Sequence, residues 1–422
     1  NNKLNSKITE FAELNHVITY KEKEEAEDSI DHLLEQLRLE NRQIVILIDE
    51  YDCQMTANIN NETLYKQFQE KIKSFYANIK DKFAIKFLGI TGVTRLKDVE
   101  IFSVGSDIND ITNDSAYSQM IGFTRDEIKK YYIDYLTLAA SYENNCRVEE
   151  VTDTQIESML DMMAQNYDGY CFDEFYKKKV FSTWSVNKFF QNIVKNKFVV
   201  VDKKKVQFGE YWYDNGGLPS ILVNYLKTHE LNIFDYLDKN KSLKVTDDDF
   251  KNPTSLTTIN QNVLMCQTGY LTLRSSLNDS NIIALGIPNG EIYKALNKLL
   301  AAKFFKGTID VTNDANENIL DVGSAEDIIS LLNTMVNTVT YDTYPLNSES
   351  AVQNYVKAYL LGAKQTVSSE VHQAKGRADL MIETNKRRIV FEFKYAQNET
   401  EAKIKLNEAV EQIKSRDYGN IL

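Results

Sequence analysis

Helical spacing and short apolar runs alternate along the first part of the chain. Apolar residues recur every three or four positions over 24–39 and 64–76, which predicts two amphipathic helices. Two nearly continuous apolar runs, 43–48 and 83–93, each follow one of these helices. Uninterrupted β-branched runs are typical of parallel strands that helices cover on both faces. Residues 1–123 are therefore predicted to form a parallel α/β sheet.

The next part of the chain has mostly helical patterns. Thr124 and Glu127 have the spacing of a capping box, which predicts that a helix begins there and runs to Tyr142. Further patterns of helical spacing, rich in aromatic residues, follow this helix. We interpret the aromatic stripes as core rather than as a ligand site.

A small β unit is predicted at the end of this helical region. The apolar runs 264–273 and 282–288 flank a polar turn and have the composition of a strand pair. A less regular stretch with few buried anchors is expected over 232–253. Residues 124–305 are thus predicted to be a helical lid region with a small β unit.

The last part of the chain has a mixed pattern. Polar segments on either side of a predicted helix at 324–336 mark a boundary, so a third domain is predicted to cover 306–422. A helix over 348–361 and a strand over 366–371 then precede a β-hairpin over 376–395. A helix, a hairpin and a further helix predict an α/β domain.

Composition narrows the class of protein. Hydrophobic residues make up 43% and charged residues 26%, and no apolar run approaches the roughly 20 residues that span a bilayer, so a soluble globular protein is expected. The chain starts without methionine or a signal peptide, and we expect a fragment or the ordered part of a longer protein. The few histidines argue against a zinc enzyme. The cysteines are too far apart for a redox or metal pair, which favours a reducing cytoplasm over a disulfide scaffold: Cys53, Cys146, Cys171 and Cys266.

The charge is unevenly distributed. The net charge is −12, which argues against a generally basic nucleic-acid binder. Residues 345–422, however, carry a balance of +2, so a polyanion is expected to bind there. The basic residues expected near that site are Lys375, Arg377, Lys386, Arg387 and Arg388.

Three charged groups stand out in the predicted hairpin. Asp379 lies in its first strand, and Glu392 and Lys394 lie two residues apart in its second, where alternation places them on one face. Pairing of the strands would bring the two carboxylates together beside the ammonium group, which suits Mg²⁺ and a phosphate. The alternative is an ordinary solvated face, although charge in so apolar a strand is costly unless it is paired.

The first predicted strand ends in acids. Asp49 and Glu50 follow the run of aliphatic residues directly, at the strand end where ligands of α/β sheets bind. This pattern is that of a Walker B element, in which the Asp holds Mg²⁺ and the Glu polarises water. Thr91 and Arg95 follow the neighbouring strand and are candidates for sensing a γ-phosphate. The alternative is a buried strand that ends in an acidic turn. The sequence contains no Gly-x-x-x-x-Gly-Lys-Ser/Thr loop.

The C-terminal residues resemble the PD-(D/E)XK nuclease superfamily. Glu349, Asp379, Glu392 and Lys394 match in order the helix acid, the hairpin Asp and the Glu-x-Lys of that superfamily, and Gln412 resembles its helix glutamine. The resemblance implies a restriction-endonuclease-like fold, Mg²⁺ at Asp379 and Glu392, and hydrolysis of DNA with Lys394 activating water and Glu349 assisting. We expect the chain to stop inside the last helix of that fold and to lack the strand that usually follows it.

The whole chain is similar to bacterial proteins in which an AAA-ATPase-like domain precedes a nuclease-like domain. The resemblance implies that Asp49 and Glu50 bind Mg²⁺ and ATP if a phosphate-binding loop precedes residue 1. The alternative is an interaction protein, switched by nucleotide, in which both sites are inactive remnants. The oligomeric state stays open. The segments that carry the similarity are 47–52, 90–95, 167–170, 267–272 and 376–379.

Overall fold

The fold is mixed α/β, and the residues that the structure describes contain helices and three small sheets. The computed structural model describes residues 2–80, 82–95, 108–196, 206–212, 220–229, 235–253, 258–276, 281–304, 314–337, 346–363, 365–373, 376–384 and 386–416. Among them, no helix is long and apolar enough to cross a membrane.

Where the structure describes it, the N-terminal unit contains a two-stranded parallel sheet. Its elements are α1 (Asn2–Leu14), α2 (Ala26–Leu39), β1 (Ile44–Ile48), α3 (Cys53–Ala57), α4 (Glu62–Ile79) and β2 (Ile85–Ile90). Ile48 pairs with Ile90, so the residues that follow the two strands leave the sheet at the same edge. The apolar stripe of α2 is buried in one core with Ile44 and Ile46 of β1.

One face of this sheet is exposed, so the prediction that helices cover both faces is wrong for this part of the chain. Val45 and Leu47 are 55% and 74% exposed, and Phe87 of β2 is 58% exposed. A continuous apolar run shows that both faces of a strand are apolar, but not that both are covered. In the residues that the structure describes, the core packs against the opposite face, which carries Ile44, Ile46 and Ile48.

The helical middle region has an aromatic core. Its elements are α5 (Arg125–Tyr131), α6 (Ile133–Asn144), a 3₁₀ turn (Val148–Glu150), α7 (Asp153–Tyr167), α8 (Thr183–Asn196) and α9 (Ser220–Thr228). The capping box at Thr124 and Glu127 is confirmed. The single helix predicted to Tyr142 is instead two helices, because the backbone at Tyr132 leaves helical geometry. The Tyr132 ring stacks on Phe190.

Within its described residues, the β unit has three strands, whereas a pair was predicted. Its elements are β3 (Leu243–Thr246), α10 (Asp247–Lys251), α11 (Gln261–Gln267), β4 (Thr272–Ser276), β5 (Ile282–Gly286) and α12 (Gly290–Phe304). β5 lies between β3 and β4 and is antiparallel to both. The predicted strand over 264–273 is wrong in its first half, because Asn260 caps a helix there and Gly269, with φ of 82°, follows its end. β3 lies in the segment that was expected to be less regular.

Glu291 joins the helical region to the β unit. This glutamate is in the first turn of α12 and is 2% exposed. Its Oε1 accepts hydrogen bonds from the main-chain N–H groups of Tyr211 (2.6 Å) and Trp212 (3.1 Å), and its Oε2 accepts one from Ser185 Oγ (2.6 Å). A buried carboxylate therefore holds α8 and the loop after it against α12.

The described part of the C-terminal unit forms a three-stranded antiparallel sheet with helices. Its elements are α13 (Asp314–Val322), α14 (Ala325–Val336), α15 (Glu349–Gly362), β6 (Thr366–Gln373), β7 (Gly376–Glu383), β8 (Arg388–Phe391) and α16 (Glu399–Arg416). The order is β6-β7-β8, so the predicted hairpin is confirmed and β7 is central. α13 occupies polar sequence that was expected to flank the boundary helix. The buried face of α15 packs on Leu380 and Ile382 of β7.

Helices α12 and α15 pack on one another and connect this unit to the rest of the chain. Ala358 and Leu361 of α15 belong to the same buried apolar cluster as Leu296 and Leu300 of α12. This cluster also contains side chains of α1 to α4. The helix that carries Glu349 is thus fixed at its far end to a core that extends back to the N-terminal unit.

Candidate functional site

The antiparallel pairing of β7 with β8 brings Asp379 beside Glu392. The last pair of that ladder is Leu380 with Phe391, and both acids lie one residue beyond it. Glu392 and Lys394 were expected inside the second strand, but the strand ends at Phe391 and they follow it in extended chain. Phe391 and Phe393 stack together on the opposite face and pack on the core, as the alternation predicts.

Lys394 lies among three carboxylates. Its Nζ is 2.8 Å from Glu392 Oε1 and 3.8 Å from Glu349 Oε1, and the charge of Asp379 also acts on it. Burial lowers the pKa of Lys394, but the hydrogen bond to Glu392 and the three negative charges outweigh burial and leave this pKa raised. Lys394 is therefore a cation at neutral pH.

Glu392 is the buried member of the group. Its side chain is 0% exposed, and its Oε2 has no hydrogen-bond partner in the described part of the chain. Burial raises the pKa of Glu392 and the charge of Asp379 adds to this effect, while the hydrogen bond from Lys394 opposes it. A buried carboxylate oxygen without a donor is costly, which favours a site that a cation completes.

Asp379 is held by main-chain contacts on two sides. Its Oδ2 accepts the N–H of Phe393 at 2.8 Å, which ties β7 to the segment that carries Glu392 and Lys394. Its main-chain oxygen accepts a hydrogen bond from Gln353 Nε2 at 2.9 Å. Gln353 was missed in the sequence, although its position four residues after Glu349 on α15 was a usable signal because such residues share a helix face.

Two of the basic residues expected near the acids lie at the other end of the hairpin. Arg387 donates from its guanidinium to the main-chain oxygens of Ile319 and Leu320, and Arg388 pairs with Glu383 at 3.0 Å. Their placement near the acids is therefore wrong, because a β-strand separates its ends by about 3.3 Å per residue. Lys386 is exposed in the same turn, Arg377 is exposed near the start of β7, and Lys375 lies outside the described residues.

Helix α16 presents a partly buried face that includes Lys405, Ala409 and Gln412. The charge of Lys394 acts on Lys405, and the charge of Arg416 acts on Glu392. These two electrostatic interactions link α16 to Lys394 and Glu392 of the carboxylate cluster. The expected glutamine helix is therefore present.

A second group of predicted residues lies at the edge of the parallel sheet. Thr91 Oγ1 donates a hydrogen bond to Asp49 Oδ1 and accepts one from the Glu50 N–H at 3.3 Å. Asp49 and Glu50 are exposed. Glu50 has φ of 50°, a left-handed conformation that non-glycine residues rarely adopt. The structure thus brings Asp49, Glu50 and Thr91 together, as expected.

Arg95 makes other contacts. Its Nε lies 2.6 Å from Asp110 Oδ2, and its main-chain N–H donates to Gln267 Oε1 of α11 at 3.3 Å. The contacts that the structure shows for Arg95 thus point toward the middle region rather than toward Asp49. Its proposed role as a sensor has no support from them.

Asp52 organises the loop that carries these residues and was missed in the sequence. It is 1% exposed, its Oδ1 accepts the N–H of Val93 (3.2 Å), and its Oδ2 accepts the N–H (2.7 Å) and hydroxyl of Thr94. The hydroxyl of Tyr51 donates to the main-chain oxygen of Thr94 at 2.6 Å. These bonds fix the loop after β2 to the turn after β1.

Replacing Asp52 with alanine should lower the free energy of unfolding by about 1–3 kcal/mol, because two main-chain N–H groups lose their buried acceptor. Hydrogen exchange at Val93 and Thr94 should rise in the same variant. The control is Asp238→Ala, since Asp238 is exposed and accepts one local N–H bond from Asn240. Equal losses in both variants, measured by urea unfolding, would contradict the assignment.

Two family models match separate parts of the chain. Residues 1–102 match the model described as a predicted AAA-ATPase, and residues 347–421 match that of the PD-(D/E)XK nuclease superfamily. Both predicted resemblances are confirmed at this level. The match at the C-terminus covers Glu349, Asp379, Glu392 and Lys394.

A protein of Azotobacter chroococcum mcd 1, described as "Uncharacterized protein in vnfD 5'region", is 22% identical over 387 residues. The alignment covers 89% of this chain and 66% of that relative, so the chain spans just under two thirds of its length. No solved structure matches the chain.

Proposed function

We propose that the C-terminal unit, residues 306–422, is a Mg²⁺-dependent nuclease that hydrolyses phosphodiester bonds in DNA. The observation that carries this proposal is the buried carboxylate of Glu392, with one oxygen on Lys394 and the other without a partner, beside Asp379. An ordinary solvated face would not bury such a group. The match to the nuclease superfamily supports the same assignment.

The residues present fit a magnesium ion. Among the described residues, no group of three or more His, Cys, Asp or Glu side chains is arranged to hold a metal. Two carboxylates are sufficient for Mg²⁺ at phosphate sites, because water and the substrate phosphate complete its coordination. Asp379 and Glu392 would hold the ion, and the unpartnered Oε2 of Glu392 is the ligand atom that the structure favours. The bound ion would supply Lewis-acid stabilisation of the phosphate.

Lys394 would orient the attacking water and neutralise charge that develops on the phosphate. Burial lowers the pKa of Lys394, but the hydrogen bond to Glu392 and the neighbouring carboxylates raise it, so the side chain carries the positive charge that these two roles use. Glu349, at 3.8 Å from the same ammonium group, would hold Lys394 from the side of α15.

The direct test is cleavage of supercoiled plasmid DNA by the purified chain in Mg²⁺ or Mn²⁺, with EDTA as the control. Metal-dependent nicking or linearisation supports the proposal. Intact DNA together with no detectable Mn²⁺ binding would favour the alternative, an interaction protein in which the sites are inactive remnants.

We propose that residues 1–123 are the ATPase-like core and that residues 124–305 are its helical lid. Asp49 would hold the Mg²⁺ of a nucleotide, Glu50 would polarise water and Thr91 would orient the Asp49 carboxylate. The hydrogen bonds among these three residues support this arrangement. The phosphate-binding loop that these roles require does not occur in the 422 residues.

In a longer protein that supplies a Gly-x-x-x-x-Gly-Lys-Ser/Thr loop, Glu50→Gln should slow ATP hydrolysis by about 100-fold or more, because general-base assistance contributes 10²–10⁴-fold. Nucleotide affinity should stay unchanged, since Asp49 and Thr91 are retained. Glu62→Gln, an exposed acid in the same unit, is the control. Hydrolysis at the wild-type rate in Glu50→Gln, measured by phosphate release, would exclude this role.

A further inference from the structure

Gln353 connects helix α15 to the strand that carries Asp379. It lies one helical turn after Glu349, so both side chains project from one face of α15. Its amide Nε2 donates to the main-chain oxygen of Asp379 at 2.9 Å. The contact lies where the ladder between β7 and β8 has ended, one residue beyond its last pair.

This hydrogen bond has consequences for both ends of the carboxylate cluster. On the sheet side, Asp379 is fixed through its main chain by Gln353 and through its carboxylate by the Phe393 N–H. On the helix side, the first turns of α15 are only half-buried, whereas Tyr359 and Leu360 near the other end are fully buried. The position of the Glu349 turn therefore depends more on polar contacts such as that of Gln353 than on packing.

We propose that Gln353 is a positioning residue of the nuclease site, which sets the distance from Glu349 to Lys394 and the orientation of Asp379. This inference rests on the proposed nuclease function. The separation of Lys394 Nζ from Glu349 Oε1 is 3.8 Å, at the outer limit of an ion pair, so a small displacement of α15 breaks the contact. Gln353 is not expected to touch the metal or the phosphate.

The test uses Gln353→Met, which keeps the length of the side chain and removes the N–H donor. The rate of plasmid cleavage and the affinity for Mn²⁺, measured by electron paramagnetic resonance, should each fall by about 10–100-fold, the range for residues that orient metal ligands. Gln365→Met is the matched control, because Gln365 makes the same kind of bond, to the Ala363 oxygen, just past the other end of α15. This control should behave as the wild type does.

A double-mutant cycle separates positioning from general destabilisation. In a Glu349→Gln background, the effect of Gln353→Met on the cleavage rate should shrink by at least about threefold, because residues that act through one another are not additive. Fully additive effects of the two substitutions on the cleavage rate would overturn this inference but leave the proposed nuclease function standing. A Gln353→Met variant with wild-type cleavage rate and Mn²⁺ affinity would do the same. A wild-type chain without cleavage or Mn²⁺ binding would overturn the proposed function and this inference together.

Discussion

Replacing Lys394 with methionine should reduce metal-dependent DNA cleavage by about 100-fold or more. The methionine fills a similar volume, but the cation among Glu392, Glu349 and Asp379 is lost. Three carboxylates then repel one another, and no ammonium group remains to orient water or neutralise the phosphate. The initial rate of plasmid cleavage at saturating Mg²⁺ measures the effect.

Lys386→Met is the control for this prediction, because Lys386 is an exposed lysine in the turn of the same hairpin. It should cleave within about twofold of the wild-type rate, as expected for a surface position. A second variant, Asp379→Asn, should abolish cleavage and weaken Mn²⁺ binding. Persistent cleavage in both Lys394→Met and Asp379→Asn would place any nuclease activity elsewhere in the protein.

Replacing Glu291 with alanine should lower the free energy of unfolding by about 3–5 kcal/mol. Three donors would then lose a buried acceptor: the N–H groups of Tyr211 and Trp212 and the hydroxyl of Ser185. Each loss costs about 1–3 kcal/mol, and the total is smaller than the sum because the three losses are not fully additive. Urea unfolding followed by circular dichroism measures this loss.

Glu291 should also make stability depend on pH. Burial raises the pKa of its carboxyl from the ordinary 4.5 to about 7, with a smaller contribution from the charge of Glu210. Between these values the folded chain holds a proton that the unfolded chain has released, so stability should fall as pH rises from 4.5 to 7, by up to about 3 kcal/mol. Lys298 pairs with Glu210, and Tyr167, Tyr170 and Tyr211 are the other ionisable groups around the site.

Glu291→Gln isolates the titration from the hydrogen bonds. The amide oxygen can accept both N–H bonds while the amide nitrogen donates to Ser185, so this variant should be nearly as stable as the wild type at pH 5 and more stable at pH 8. Glu326→Gln is the control, since Glu326 lies exposed in the first turn of α14. A stability profile between pH 4.5 and 7 that is unchanged by Glu291→Gln would contradict the assignment.

The sequence predicted the parts of the site that follow from local periodicity. Alternation along a strand placed Glu392 and Lys394 on one face, and a short hairpin connection left few ways to pair Asp379 with them. The Asp49 and Thr91 pairing was predictable for a similar reason, because parallel neighbouring strands end at one edge. Each of these two residue groups is positioned by only two adjacent strands, so local patterns were sufficient to predict it.

Residues whose roles depend on distant contacts were not predicted. Gln353 meets Asp379 across 26 positions, and Glu291 meets Ser185 across 106, so no local pattern contains these pairs. The helix over Gln261–Gln267 has the same apolar residues as a strand, and tertiary packing decided between them. Leu243–Thr246 alternates as a strand does, but four residues were too few to stand out.

The contact between α12 and α15 has a consequence for how the protein can be divided. The predicted boundary at 305 and 306 separates the two helices in sequence, yet Leu296 and Leu300 share a buried cluster with Ala358 and Leu361. A fragment that ends at residue 305 would expose this apolar surface to water, and an isolated C-terminal fragment would expose its counterpart. Separate expression of the two pieces is therefore expected to yield aggregation-prone proteins, whereas co-expression should restore solubility by letting the helices reassociate.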